Sequence, residues 1–534
     1  MNPMRSRLRV IGALSITTAL ALAGCSSSDS NSSPASNSSA PAPGSSSSDA
    51  SSAPAGDAAA PISGGTLSVG RGNLFEGFNL DQETVNASFQ LSEAVLEPLI
   101  RVNAEGTDLA PGIASKWTFN ADNTVLTIDL TPKVTFSNGD PVTPEDVAFS
   151  IKTWQAGPSY GPIYGGIEKT VIVDADTIEL DLSGPDSTLP NYLAWSNAGI
   201  VPKDFGGRTA EEFWQAPIGA GPFLVESWAS SGDVVLTKNP KYYKAGQPYL
   251  DKVVSSYSAD SNSLSLQLKA AQIDVADELS PVIALGLDQS LILPVAEHNT
   301  AVLLMNTKDP ALSDPIVRQA IGYALDYPSI LKSVYSGYGS APTGALPSNL
   351  LHWAPPSSPY FSRDVEKAKA LLATAANPPT TLEFLFTANG DAVLLGQILA
   401  DNLKDIGITV TLTPVDSGQR SANLDDGKYQ LASFAYNAIS PDVTDPISYV
   451  TSTDGMRTGF SSDVVDAQFK AYQLAKTPAE QEKAIGIVQD VYFKEAPFIA
   501  LAHLRSLGAA QPTVKGLQLT LWGTYALENV WKTN

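Results

Sequence analysis

Cysteine is almost absent: the 534-residue chain contains one, Cys25. A single cysteine closes no intramolecular disulfide. Histidine is nearly as rare, with His298, His352 and His503 far apart, so none of the short ligand spacings of zinc sites occurs. Positive charge is scarce too: 33 Lys and Arg face 55 Asp and Glu, a net charge of −22. Nucleic acid and anionic lipid are poor partners for so acidic a surface, and the acidity reads first as solubility. There is no phosphate-cradling G-x-x-x-x-G-K-[ST], so ATP hydrolysis must belong to another polypeptide. Beyond the N-terminal stretch no apolar run approaches the roughly 20 residues of a membrane-spanning helix.

What is present begins at that stretch. Arg5, Arg7 and Arg9 precede an apolar run from Val10 to Leu22, a charged region and a hydrophobic region of signal-peptide length. It ends in Leu22-Ala23-Gly24-Cys25, which resembles a bacterial lipobox, after which the cysteine is lipidated and becomes the first residue of the mature protein. Residues 1–24 are thus expected to be a lipoprotein signal and Cys25 the lipidation site. Ser26 to Pro61 is almost wholly Ser, Ala, Pro, Gly and Asn. With nothing to bury, such a segment cannot offset its ordering entropy, so 25–61 is expected to be a lipidated, disordered tether. That places the protein on the extracytoplasmic face of the cell membrane, held by its lipid alone.

The body, from about Ile62 to Asn534, is too long for one core and implies two or three domains. Leu126, Ile128 and Leu130 alternate with polar residues, as do Ile178, Leu180 and Leu182, the period of half-buried strands. Val134 to Phe136 leads into an Asn138-Gly139 turn signal. Ser313-Asp314-Pro315 offers a cap and a first-turn proline ahead of Ile316, Val317, Ala320, Ile321, Ala324 and Leu325 at helical spacing. Leu394, Leu395, Ile398, Leu399 and Leu403 mark another helix, which Gly407 closes before the strand Ile408 to Leu412. Helix, glycine and β-branched strand in succession predict α/β architecture.

Four blocks, in order, resemble the ABC-importer solute-binding proteins of bacterial extracellular family 5, the dipeptide- and oligopeptide-binding class. They are Leu109-Ala110-Pro111 through VTFSNGDPVTPEDVAFSIK, then Ile218-Gly219-Ala220-Gly221-Pro222-Phe223 with LTKNPKYY, then DPIVRQAIGYALDYPSILKSVYSGYGSAP, and finally DVEKAKALLATA. The resemblance implies a two-lobed α/β clamp, the type II, cluster C periplasmic-binding-protein fold, with a small extra domain in the first lobe. Lobe I would comprise 62–97, 197–300 and 501–534, the extra domain 98–196, and lobe II 301–500. The strand Ala301 to Asn306 would cross between lobes, a place where closure can be absorbed by a few residues. The implied activity is capture of small peptides in the interlobe cleft and delivery to an ABC permease and its ATPase subunits. No partner chain is needed to form the site, so a monomer is expected. The same clamp on another solute (an opine or sugar derivative, a siderophore or a haem-like ligand), or serving a sensory partner, is the alternative.

Within the resemblance, Asp442 of Asp442-Val443-Thr444-Asp445-Pro446 falls where peptide binders hold the ligand's amino terminus, though Pro441 and Val443 depart from their pattern. Asp442 reads equally as a turn or capping residue. Tyr436, Trp195 and Trp522 are candidate pocket walls, each also a natural core residue. His503 lies in a segment resembling a cleft edge. Gly157-Pro158-Ser159-Tyr160-Gly161 satisfies G-x-S-x-G, but Pro158, Pro162 and Gly165-Gly166 describe a loop, whereas a nucleophile elbow needs a strand before the serine and a helix after it. No enzyme activity, metal or cofactor is expected, and the histidine and cysteine counts argue against the nickel-binding branch.

Overall fold

The computed structural model describes residues 60–79, 81, 85–103, 108–158, 160–293, 297–388, 390–437, 442–444, 457–519 and 524–533. Cys25 and the tether up to residue 59 lie outside these, as do Ser159, Pro441, Asp445, Pro446 and Trp522.

Three sheets organise the described body. The first runs, strand by strand, Ala509–Ala510, Val275–Ala276, Thr66–Arg71, Lys252–Tyr257, Val234–Lys238 and Phe223–Trp228. Thr66–Arg71 is parallel to both of its neighbours. The second runs Gly339–Ser340, Phe498–Arg505, Glu297–Met305, Leu431–Asn437, Thr381–Thr387 and Thr409–Val415. A third, wholly antiparallel sheet joins Ala114–Phe119, Val125–Leu130, Thr177–Leu182 and Ile167–Ile172. Each has its own apolar core.

The expected periodicities become the observed faces. Leu126 pairs with Leu180 and Ile128 with Ile178 across the third sheet, and all four are fully buried. Each such side chain contributes roughly 1.5–3 kcal/mol relative to exposure. Val134 to Phe136 forms no strand of its own, only an isolated bridge from Thr135 to Pro141 before Gly139 turns the chain at positive φ. The helix Pro315–Ala324 starts where expected, with the Asp314 carboxylate accepting from Ile316 N at 2.9 Å. Gly407, at φ +85°, follows the helix Gly390–Lys404 and turns the chain into Thr409–Val415. The Gly219 and Gly221 positions have a steric reason: a Cβ there would lie 1.9 Å and 2.6 Å from the Val95 carbonyl oxygen. No residue with a side chain fits that approach.

An ionic knot lies among residues that flank the cores of the first and third sheets. Glu97, fully buried, accepts from Arg101 Nε at 2.7 Å and Nη2 at 2.8 Å, and from the Tyr243 hydroxyl at 2.8 Å. Arg101 also meets Glu528 at 3.1 Å and Glu93 at 3.7 Å, while Lys244 faces Glu97 and Glu528. Three carboxylates share two cations beside a cavity of about 190 Å³. Burial pushes the Glu93 carboxyl up to about 7, against the pull of Arg101. The folded value thus exceeds the ordinary 4.5, so the folded chain holds an extra proton between them. That contribution to stability is complete below about pH 4.5 and is lost as pH rises through about 7. Glu93→Gln, uncharged throughout, should flatten this part of a melting-temperature profile and leave the variant relatively more stable above pH 7. An unaltered profile shape would show that Glu93 is ionised across the window.

Candidate functional site

The strand order has the chain pass twice between the first and second sheets, between Leu293 and Glu297 and between Arg505 and Ala509, and the described ends of the two passages are tied together. Leu293 N donates to the Gly508 carbonyl at 2.9 Å on one side, and Glu297 pairs with Arg505 on the other. Glu297–Met305, so anchored, lies between Phe498–Arg505 and Leu431–Asn437. Register places Thr300 opposite both Tyr436 and His503. Directly opposed residues share a face, so the three form one row. Thr300 Oγ1 and His503 Nδ1 are 3.0 Å apart, and the Tyr436 hydroxyl donates to the Ala345 carbonyl at 3.1 Å. His503 is 1 % exposed, and burial pushes its imidazole down to about 4, so it is neutral near pH 7. Its Nε2 is buried with no hydrogen-bond partner among the described residues.

Asp442 lies just beyond Leu431–Asn437 and is fully buried. Its Oδ1 accepts from Thr444 N at 2.8 Å and Thr444 Oγ1 at 2.5 Å, an Asx-type turn. Its Oδ2 accepts from the Tyr472 hydroxyl at 2.7 Å and from Asn191 Nδ2 at 2.8 Å. The turn thus engages one oxygen, while the other reaches partners outside the turn. Burial pushes this carboxyl up, and the Thr444 and Tyr472 hydrogen bonds and the nearby His352 pull it back. The Tyr472 hydroxyl is in turn pushed up by burial and by Asp442, and stays protonated.

Asn191 is the informative donor, because it comes from the region of the third sheet, 251 residues away. Around it the two regions are stitched together. Ser187 N donates to the Gln473 carbonyl at 3.2 Å and Ser187 Oγ to the Tyr472 carbonyl at 3.1 Å. Asn123 Nδ2 reaches the Ala475 carbonyl at 3.2 Å. On one side of this seam is a cavity of about 490 Å³ lined by Trp117, Asn120, Asn191, His352, Lys476 and Gln481 among others. On the other is one of about 440 Å³ lined by Ile163, Asp186, Tyr192, Asp466, Phe469 and Tyr472 among others. Asp442 sits between, its donor Asn191 in the first lining and Thr444 and Tyr472 in the second.

Of the residues singled out in the sequence, only Asp442 stands at this seam. Trp195, 1 % exposed, packs against Phe89 and Tyr160 at centroid distances of 5.7 Å and 4.7 Å, so its ring is taken up in core packing. Tyr436 and His503 line neither cavity, belonging instead to the row on the passing strand. Trp522 is outside the described residues. The G-x-S-x-G segment follows the helix Pro144–Gln155 and leads into the short turn Gly161–Tyr164, the reverse of an elbow's strand-to-helix context. Asn191, Tyr472 and His352 were not legible as site residues. The Asp-x-Thr spacing alone signalled Thr444.

Residues 108–458 match the family described as bacterial extracellular solute-binding proteins, family 5. The chain is 26% identical over 501 residues, covering 86% of it and 94% of the relative, to a probable di/tripeptide-binding protein 5 of Pseudomonas aeruginosa. It superposes on the PBP AgaA of A. tumefaciens R10 in complex with agropinic acid, with a TM-score of 0.73, 25% identity and coverage of 88% and 99% of the two chains. It superposes equally on the periplasmic binding protein DppA of Helicobacter pylori in complex with peptide STSA, with a TM-score of 0.73, 22% identity and coverage of 89% and 99%. The fold is the two-lobed α/β architecture of periplasmic binding proteins, as expected from the sequence.

Removing one donor from a buried carboxylate is costly, because hydrogen bonds to charged groups contribute about 1.5–3 kcal/mol. Tyr472→Phe keeps the ring and deletes the hydroxyl at Oδ2. Urea denaturation should show a loss in that range at pH 7, shrinking at low pH as Asp442 takes up a proton. A loss that is constant with pH would show that Tyr472 acts through packing alone.

Proposed function

The chain belongs to the bacterial extracellular solute-binding proteins of family 5, and from that premise we propose that it captures di- or oligopeptides between its lobes and passes them to an ABC permease and its ATPase subunits. It binds its solute without transforming it. The observation that carries this reading is Asp442, a buried carboxylate at the seam, taking donors from both sides of it. A carboxylate there meets a peptide's ammonium group in a charge-assisted hydrogen bond. Of the donors on its two oxygens among the described residues, the Asn191 amide is the one from across the seam, and the ammonium would take its place. The likeness to a di/tripeptide-binding relative supports the same ligand class, and the AgaA likeness keeps a non-peptide solute as the second reading.

The partition into lobe I (62–97, 197–300, 501–534), an extra domain (98–196) and lobe II (301–500) is part of the proposal, supported by three sheets with separate cores. So is Tyr436 with His503 as a row facing the crossing. Cys25 is proposed to carry the lipid that tethers the protein to the extracytoplasmic membrane face. Among the described residues no helix is long and apolar enough to cross a membrane.

Two experiments test this. A specific ligand stabilises the folded state by about 2.7 kcal/mol at a hundredfold excess over Kd. A peptide library should therefore contain members that raise the melting temperature, and Asp442→Asn should weaken binding of a free-amine peptide at least about tenfold, as expected on losing one partner of a buried charge pair. N-acetylation of the peptide should cost as much in the wild type and little more in the variant. Shifts from sugars or chelates alone would replace the peptide assignment with another solute. In the second, Cys25→Ser should move the protein from the membrane fraction to the soluble one, since acyl chains contribute about 0.8 kcal/mol per buried methylene. Retention in the membrane fraction would exclude the lipid anchor.

A further inference from the structure

The two cavities flanking Asp442 differ in charge. The larger is lined by Lys476 and by carboxamides such as Asn120 and Gln481, with no carboxylate. Among the described residues the smaller carries Asp186 and Asp466 with no lysine or arginine, and its remaining walls are largely aromatic or aliphatic. Asp466, Phe469 and Tyr472 recur every three residues on the helix Asp463–Leu474 and so share one face of it. Tyr192 and Ile163, both half-buried, oppose them from the other side of the seam. Asp186 is fixed by Thr188, whose N and Oγ1 donate to its Oδ1 at 2.9 Å and 2.6 Å. Asp466 is half-buried at the cavity wall and forms no ion pair with a described lysine or arginine. The result is a cavity of about 440 Å³ with a carboxylate on each side of the seam and aromatic rings between.

We infer that this cavity is a subsite for a long cationic side chain of the ligand, lysine or arginine, held between Asp186 and Asp466 against the Tyr192, Phe469 and Tyr472 rings. The aliphatic stem of such a side chain covers the rings while its head reaches the carboxylates. A cation against an aromatic face adds attraction that an isosteric apolar chain lacks. The negative charge of both carboxylates excludes an acidic side chain. This assignment rests on the peptide-capture reading for the identity of the ligand, but on the cavity alone for its charge.

Calorimetry on the full chain should compare tri-alanine peptides carrying lysine, arginine, glutamate or norleucine at each position in turn. At one position lysine or arginine should bind about tenfold or more tighter than norleucine, with glutamate weakest. Asp466→Asn should narrow that preference to about threefold or less and Asp466→Glu should restore it. Equal or tighter binding of norleucine at every position would overturn the inference, as would a preference unmoved in a folded Asp466→Asn protein. Agmatine, a cation that is no peptide, separates the two readings. If no peptide binds but agmatine raises the melting temperature of the wild type and not of Asp466→Asn, the subsite stands and the peptide reading falls. Silence from both basic peptides and agmatine overturns the subsite itself.

Discussion

The second sheet is organised around the strand Glu297–Met305. This strand carries the chain into the sheet, pairs on one side with the strand that carries it back, and on the other with Leu431–Asn437. That last strand ends at Asn437, which is paired with Asn299 of the crossing strand, five residues before Asp442. Of the two passages between the sheets, the described ends Leu293 with Gly508 and Glu297 with Arg505 are held to each other. Closure motions concentrate in a few element-terminal residues. The fully buried run Val302 to Met305 leaves the strand beyond these ends no freedom to share in such a motion.

Two buried carboxylates in this molecule are held in contrasting ways. Glu97 is gripped by a guanidinium in bidentate fashion and by tyrosine hydroxyls, within a knot that mixes three acids and two bases. Such an arrangement is hard to perturb, because breaking a buried pair by removing one partner strands the other charge. Asp442 is held by hydroxyls, a backbone amide and a carboxamide, and one of those donors belongs to a different region of the fold. A neutral donor from across a seam can be exchanged for a charged one without leaving a bare ion behind. The first carboxylate is held by charges, the second by neutral donors.

How far the sequence reached depended on the range of the interactions. Periodicity and punctuation are local, and they located the strands around Leu126 and Leu180, the helix after Asp314 and the turn at Gly407 without outside help. Asp442 was legible because its motif spans five residues. Asn191 was not, because nothing near it in sequence reports a hydrogen bond made 251 residues away. Trp195 shows why an aromatic residue admits two readings from sequence, pocket wall and core, since its ring is buried against Phe89 and Tyr160. The glycines at 219 and 221 were visible as part of a block, but the reason for them, the Val95 carbonyl, appears only in three dimensions.

The knot around Glu97 also sets an order of events for a growing chain. Glu528 closes it, Tyr525 N and its carbonyl both bond the Gln90 side chain, and the Thr524 hydroxyl donates to Glu93 at 3.0 Å. These contacts span as many as 435 residues. Contacts of such sequence separation form late, since loop closure must precede them. Arg101 has its full set of partners only when Glu528 is in place. Residues 90–101 and 524–528 thus depend on each other for their buried polar partners, although more than 420 residues separate them.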